Sequence, residues 1–486
     1  MTSRTASALL LGMLLSAPWL PAQQQPVFRA TSTHVMVDVV VTDKDGRAVK
    51  GLTAKDFIVR ARGKEQAITD VEHISIPFGH RSGSLNPPPS ASPTMFTNAP
   101  PPKDSRVFVF MIGHISPARI VPTKRMLSAF VSALAPNDIV AVSYNGRSDL
   151  SQDFTNDHSL IARAFSNVSA ASEIIPSADR PSRWFRNVLF AFNSDRHPRR
   201  AIVYVSEGAP FRKADPDDMQ FTALQDEMNR AVRFNIPIYT IDPRGLMAPD
   251  LALEGTLEEQ TPERRKGINQ AIFASKQGLK VIAENTNGLA FTDNLNVEDA
   301  ARSLLRDNNN YYLLGFYPEP PSADGTFDAF DVQVRVSGAT VRSRQGYTSV
   351  DSAAAKAALN RIDALTASLP GGELRLEGTI TPVSVERGLV TTRLGVTVLY
   401  PALNPAPTDG DRLSVRWVAV DADGKVQASG QRIVTVAGSQ FVGTPFSVSI
   451  EESLELPQGR LTIRAAVSSA AAWTQGWLHI PIAASK

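Results

Sequence analysis

Three short stretches carry side chains able to do chemistry, and each follows an apolar run. They are Gly113-His114-Ile115-Ser116 after "RVFVFMI", Glu207 in "VSEG", and Asp242-Pro243-Arg244 after "IPIYTI". A carboxylate and a hydroxyl brought together offer hard oxygen donors to a divalent cation. His114 could join them as a ligand or act as a general base; its simpler reading is a loop histidine that hydrogen-bonds locally. Asp242 and Arg244 could line a binding crevice. Equally, Asp242 can cap its turn while Arg244 pairs with a neighbouring acid.

Other chemistry is scarce. With no cysteine, the chain has no thiol catalysis, disulfide or cysteine-ligated zinc. Its seven histidines include no HExxH-like pair. No GxSxG, phosphate-binding P-loop or GxGxxG occurs, so neither an enzyme nor a cofactor is expected. Asp43-Lys44-Asp45-Gly46 and Asp421-Ala422-Asp423-Gly424 hint at calcium, but neither fits the loop pattern of calcium sites, and hairpin turns explain both. "ADPDDMQ", Ala214–Gln220, reads as the charged start of a helix.

The elements that must position the candidate residues alternate. Arg106–Ile112, Ile139–Tyr144, Ala201–Val205 and Ile236–Ile241 are continuous apolar runs, and "LAFTD" is a short one. Helical patterns separate them: Pro117–Leu134, "NDHSLIARAFSNV" behind a Thr155 or Asn156 cap, "DDMQFTALQDEMNRAVRFN", the stretch starting behind Thr261, and "NVEDAARSLLRDN". Buried strands alternating with helices predict a doubly wound, mostly parallel α/β sheet covered on both faces. In such sheets ligands sit beyond the carboxyl ends of the strands, where all three stretches fall.

The rest of the chain is organised around this sheet. Residues 1–22 read as a secretory signal peptide, cleaved after Ala22. Residues 27–80 alternate as a small β lobe. Residues 81–104 hold two triple-proline runs and read as an extended linker that cannot pack as helix or sheet. Residues 105–349 form the α/β domain with a β extension at its end, which either lengthens the sheet or joins the β lobe. An Ala-rich helical linker, 350–370, leads to an immunoglobulin-like β-sandwich, 371–486. At 486 residues with 43% hydrophobic and 20% charged residues, the chain is globular and multi-domain. A net charge of +2 gives no electrostatic reason for a nucleic-acid partner. No later stretch is long and apolar enough for stable membrane insertion.

The order of segments resembles the exported von Willebrand factor A-related proteins of the acidobacterial type. The resemblance spans about Phe28 to Tyr347. It rests on "VDVVVTDKDGRAVKGLTAKDFIV", "RVFVFMIGHISP", "SQDFTNDHSLI", "VSEGAP", "IPIYTIDPRGL", "RDNNNYYLLGFYP" and "VRSRQGY" taken together. The resemblance implies a von Willebrand A-like sheet with a metal-ion-dependent adhesion site. In that family the first strand ends in Asp-x-Ser-x-Ser, completed by a Thr and an Asp from later loops. Here the three motif positions are Gly113, Ile115 and Pro117, none of them a ligand. Glu207 stands where the later Asp is expected. Ser177, Ser182 and Thr155 are alternatives for the Thr.

The expectation is therefore an exported, non-enzymatic interaction protein, periplasmic or secreted. It binds a protein partner through Gly113, His114, Ser116, Glu207, Asp242 and Arg244, without a cation. The alternative is a rebuilt metal site using Ser116 and Glu207, with His114 beside them.

Overall fold

A computed structural model describes residues 34–75, 95–98, 106–145, 147, 150–169, 180–191, 199–208, 219–246, 262–293, 297–319, 327–348, 364–367, 369–400, 407–421, 425–441, 445–472 and 474–484. The expected signal peptide lies outside them, as do Ser177, most of Ala214–Gln220 and the greater part of both linkers. The first strands are β1 (Val35–Thr42), β2 (Phe57–Ala61), β3 (Lys64–Gln66), β4 (Ile68–Ser75) and β5 (Met95–Thr97). The alternating region supplies β6 (Arg106–Ile112), α1 (Ile120–Ala133), β7 (Ile139–Tyr144), β8 (Gln152–Thr155), α2 (His158–Ser166) and α3 (Arg180–Ala191). It continues with β9 (Arg199–Val205), α4 (Met219–Arg233), β10 (Ile238–Ile241), α5 (Pro262–Asn285), β11 (Ala290–Phe291) and α6 (Val297–Asp307). Then come β12 (Asn310–Phe316), β13 (Phe327–Val334), β14 (Thr340–Ser343), β15 (Gly346–Thr348), β16 (Gly371–Gly372) and β17 (Arg375–Glu386). The last are β18 (Leu389–Tyr400), β19 (Asp411–Val420), β20 (Val426–Val436), β21 (Phe446–Pro457), β22 (Gly459–Ser469) and β23 (Gln475–Ala484).

The architecture is mixed α/β with several sheets, one of them parallel. That sheet has the order β11-β10-β9-β6-β7-β8, and only β8 runs antiparallel to its neighbour. Strand β6 is buried along its whole length because both faces are covered. Phe108, Phe110 and Ile112 meet Met126, Phe130, Phe165 and Leu304 of α1, α2 and α6. Val107, Val109 and Met111 meet Trp184, Leu189, Met228 and Leu279 of α3, α4 and α5. Strand order reverses at β6, whose neighbours are β7 and β9. The crevice between the tips of β6 and β9 is the place where such sheets bind ligands.

The β extension after α6 does not lengthen this sheet. β12 inserts between β1 and β4, and β13 pairs with β2, giving two four-stranded antiparallel sheets. Val37, Val39, Val59, Leu314, Phe316 and Phe330 form their shared core. The turn at Arg62-Gly63 has φ of 52° and 75°, the left-handed pair that a tight hairpin requires.

Residues 371–486 contribute two antiparallel sheets, β16-β23-β22-β19-β20 and β21-β18-β17-β5. Strand β5 comes from the stretch read as a linker that cannot pack. Its described residues, Met95–Asn98, depart from that expectation, Met95–Thr97 pairing with β17. Buried Asn98 fixes it: Nδ2 donates to the carbonyls of Gly371 and Leu374 (both 2.8 Å), and Oδ1 accepts from Leu376 N (2.8 Å).

Other local outcomes differ from the sequence expectation. The helix expected over Pro117–Leu134 opens as a tight turn, Pro117–Arg119, before α1 begins. Asp157 caps α2 in place of Thr155 or Asn156, its Oδ1 accepting from Ser159 N (2.8 Å). Of the expected helical linker, the described part is a short turn, Ala364–Thr366. Among the described residues, no helix is long and apolar enough to cross a membrane.

Three arginines, Arg106 and Arg344 buried and Arg342 half-buried, tie the parallel sheet to the strands that follow α6. Arg106, at the start of β6, is 0% exposed and is held bidentately by Asp138. Its other arm donates to Asn309, between α6 and β12. Arg342 pairs with Asp307 at the end of α6. Arg344 donates to the carbonyls of Val232 (2.8 Å) and Met36 (2.7 Å). Burial brings its guanidinium down to about 10, so it stays charged at neutral pH.

Replacing Arg106 with Ala leaves Asp138, 1% exposed, without its counter-charge. The expected loss is about 3–5 kcal/mol of unfolding free energy in urea titration. A loss below about 1 kcal/mol, the range of exposed pairs, would contradict this role.

Candidate functional site

The parallel strands β6, β9 and β10 end on one edge, which brings the three candidate stretches together. Backbone hydrogen bonds set their heights. Gly113 N donates to Val205 O (2.9 Å), Ser206 N to Ile241 O (3.1 Å), and Asp242 N to Phe291 O (2.8 Å). Glu207 N donates to His114 O (3.0 Å), extending the β6–β9 contact past the strands.

Gly113 sits in the crevice because nothing larger fits. A Cβ there would lie 2.8 Å from Ser206 Oγ and 3.2 Å from Tyr204 Cε2. The first motif position therefore has no room for a carboxylate unless Ser206 and Tyr204 move. Ile115, the second motif position, is buried in the core beside α1. Pro117, the third, is exposed and opens the turn before α1.

The tip acids are taken up by protein donors. Glu207 Oε1 accepts from Ser116 N at 2.6 Å, a charge-assisted bond that pins the β6 loop to the β9 loop. Asp242, 1% exposed, accepts from Arg244 N (2.9 Å), closing its turn. It also pairs with the Arg244 guanidinium through Nε (2.9 Å) and Nη2 (2.8 Å). The same Nη2 reaches Glu207 O (2.6 Å), so one arginine joins the β10 and β9 loops. Gly245 follows against Thr292, where a Cβ would meet backbone at 2.9 Å.

Sequence reasoning passed over a third acid, Asp293, which follows β11. Its carboxylate takes Lys276 Nζ (2.8 Å) and Lys280 Nζ (3.3 Å) from α5. The Lys276 hydrogen bond leads the causes that hold it down to about 2. The signal was available: "LAFTD" ends in an acid just past a short strand, as "IPIYTID" does.

The remaining candidates fall in different places. His114 is exposed, and Ser116 is half-buried with its backbone committed to Glu207. Thr155 pairs with Val140 at the opposite end of β7, away from the tips, and its Oγ1 accepts from Asp157 N (3.0 Å). Ser182 lies in the first turn of α3 on the correct edge, since nearby Trp184 donates to Ser143 Oγ (2.8 Å) near the tip of β7. The Asp43–Gly46 stretch is a turn: Asp43 Oδ1 accepts from Asp45 N and Arg47 N (both 2.9 Å). Asp421 closes the β19–β20 hairpin by accepting from Lys425 N (2.9 Å). Among the described residues, no group of three or more His, Asp or Glu is placed to hold a metal ion.

No protein-family model matches the chain. No curated protein matches it either. Among solved structures, it is similar to the pilus adhesin SpaC from Lactobacillus rhamnosus GG at 10% identity, with a TM-score of 0.28, over 86% of this chain and 57% of that one. It is also similar to the putative ApaA protein from Bordetella pertussis at 16% identity, with a TM-score of 0.15, over 23% and 89%. A Northeast Structural Genomics Consortium target gives 12% identity and a TM-score of 0.16 over 22% and 83%. Scores this low assign neither fold nor function.

The pairing at the tips has a measurable consequence. Arg244→Ala strands the buried Asp242 carboxylate and unlinks Glu207 O, for an expected loss of about 3–5 kcal/mol. Arg244→Lys restores charge without the two-armed geometry and is expected to recover only part of it. Equal stability of wild type and Arg244→Ala in urea titration would show that this pair does not hold the loops.

Proposed function

We propose that the chain is an exported, non-enzymatic interaction protein. Its parallel sheet is a von Willebrand A-like scaffold that binds another protein through the strand tips without a cation. One observation supports this above others: Glu207 and Asp242, the acids at the crevice, are engaged by Ser116 N and Arg244. A metal would have to displace both partners, and a donor side chain at the first motif position would need Ser206 and Tyr204 to move. What is left at the tips, among the described residues, is a set of loop starts held to one another, with His114 exposed beside them. Fixed loops on a rigid sheet lower the ordering cost of binding. Export rests on the N-terminal sequence, Met1–Ala22.

A photo-crosslinking residue at position 114 tests the surface in cells of the source organism. Another at Asn137, exposed at the opposite edge of the sheet before β7, serves as the control. The expected result is a discrete crosslinked protein from position 114 and none from position 137. Equal labelling from both, or none from 114, would count against the strand-tip reading.

A further inference from the structure

A sheet edge presents a row of unpaired N–H and C=O groups, and folded chains blunt it with short strands, charge or proline. Among the described residues, β3, β5, β8, β11, β14, β15 and β16 are edge strands of four residues or fewer. Two longer edges are charged: β4 carries Asp70 and Glu72, and β21 carries Glu451, Glu452 and Glu455. β20 has neither protection. It is the outer strand of the five-stranded sandwich sheet and runs eleven residues, "VQASGQRIVTV", with no proline and one charge. That charge, Arg432, is already matched. Its Nη1 donates to Glu451 O (3.0 Å) and Glu452 Oε1 (3.1 Å) on β21.

The register fixes which groups face out of the sheet. Arg412 of β19 stands opposite Thr435, and its carbonyl is taken by Ala470 N (3.2 Å), on the β22 side. Thr435 therefore turns its N–H and C=O away from β19. Antiparallel pairing alternates, and the register is unbroken from Val436 to Ala428, so Ile433, Gln431 and Ser429 do the same. All four residues are exposed. A second copy of β20 satisfies this edge without a clash. Set antiparallel about a two-fold axis at Gln431, each Gln431 meets its equivalent, and Ser429 of each copy meets Ile433 of the other. Each outward-facing pair exchanges two backbone hydrogen bonds, about six in all. Arg432 then lies opposite Gly430, so no like charges meet. Such a contact is isologous and closes at two copies.

We propose that β20 is a self-association edge, through which two copies of the chain join their five-stranded sheets into one continuous antiparallel sheet. The proposal stands apart from the strand-tip reading, since it uses a different module and a different occupant.

Sedimentation equilibrium of the full chain tests it. The wild type is expected to be a monomer–dimer mixture whose dimer fraction rises with concentration. Gln431→Pro removes an outward N–H and leaves the β19 ladder intact, so it is expected to be monomeric at the same concentrations. Gln431→Lys sets two like charges face to face at the axis and is expected to weaken the dimer several-fold. Mixing it with Gln431→Glu is expected to restore the dimer. If Gln431→Pro fails to fold, the charge pair decides, together with a crosslink. The chain has no cysteine, so a single introduced one reports contact between copies. Residues facing each other in such a pair lie about 5.5 Å apart at Cα, within disulfide reach. Gln431→Cys is therefore expected to link two copies on mild oxidation, and faster than Thr435→Cys, whose equivalents stand apart in this register. A wild type that stays monomeric at every concentration would overturn the proposal, even if the edge takes up a strand from another protein. So would a dimer untouched by both Gln431→Pro and Gln431→Lys, or equal crosslinking from positions 431 and 435.

Discussion

Asp242 is almost wholly withdrawn from water at the end of a strand buried on both faces. A carboxylate in that position must be matched, because burying an unpaired charge costs far more than one hydrogen bond returns. The match comes from two residues along the chain. The backbone of Arg244 turns back to the carboxylate, and its guanidinium covers both oxygens. The remaining reach of that guanidinium holds the backbone of Glu207, whose side chain holds the backbone of Ser116. Three loops from three strands are thereby fixed in series by one internal cation.

The edge bearing these loops is kept in shape from the far end of the sheet. β6 begins at Arg106, whose bonds to Asp138 and Asn309 run toward the next strand and toward β12. Arg342 and Arg344 bridge the same two bodies through Asp307, Val232 and Met36. "RDNNNYYLLGFYP" and "VRSRQGY" thus contain much of the polar tether between the α/β layer and the β lobe. Asp307 and Asn309 take arginines, and Asn308 Nδ2 donates to Leu304 O (2.8 Å). Motifs without an obvious catalytic reading turn out to be what holds two lobes in register.

Much of this was legible in the sequence because strands buried on both faces write themselves as unbroken apolar runs. β6, β7, β9 and β10 were readable for that reason, and so was the edge on which Gly113, Glu207 and Asp242 meet. Helix α3 was not expected: its Trp184, Phe185, Val188 and Leu189 recur at helical spacing, but arginines and a proline dilute the stretch. β5 was hidden among prolines because what orders it is Asn98 reaching residues more than 270 positions away. Pairings of that kind leave no local pattern. The joining of β12 to β1 was open between two topologies, since an apolar strand does not specify its neighbour.

The central claim is that the tip carboxylates are committed to the protein's own donors. Isothermal titration of the metal-stripped wild-type protein with Mn²⁺ tests this most directly, with Glu207→Ala in parallel. The account predicts no saturable heat from either protein. A saturable Mn²⁺ isotherm in wild type that disappears in Glu207→Ala would contradict it.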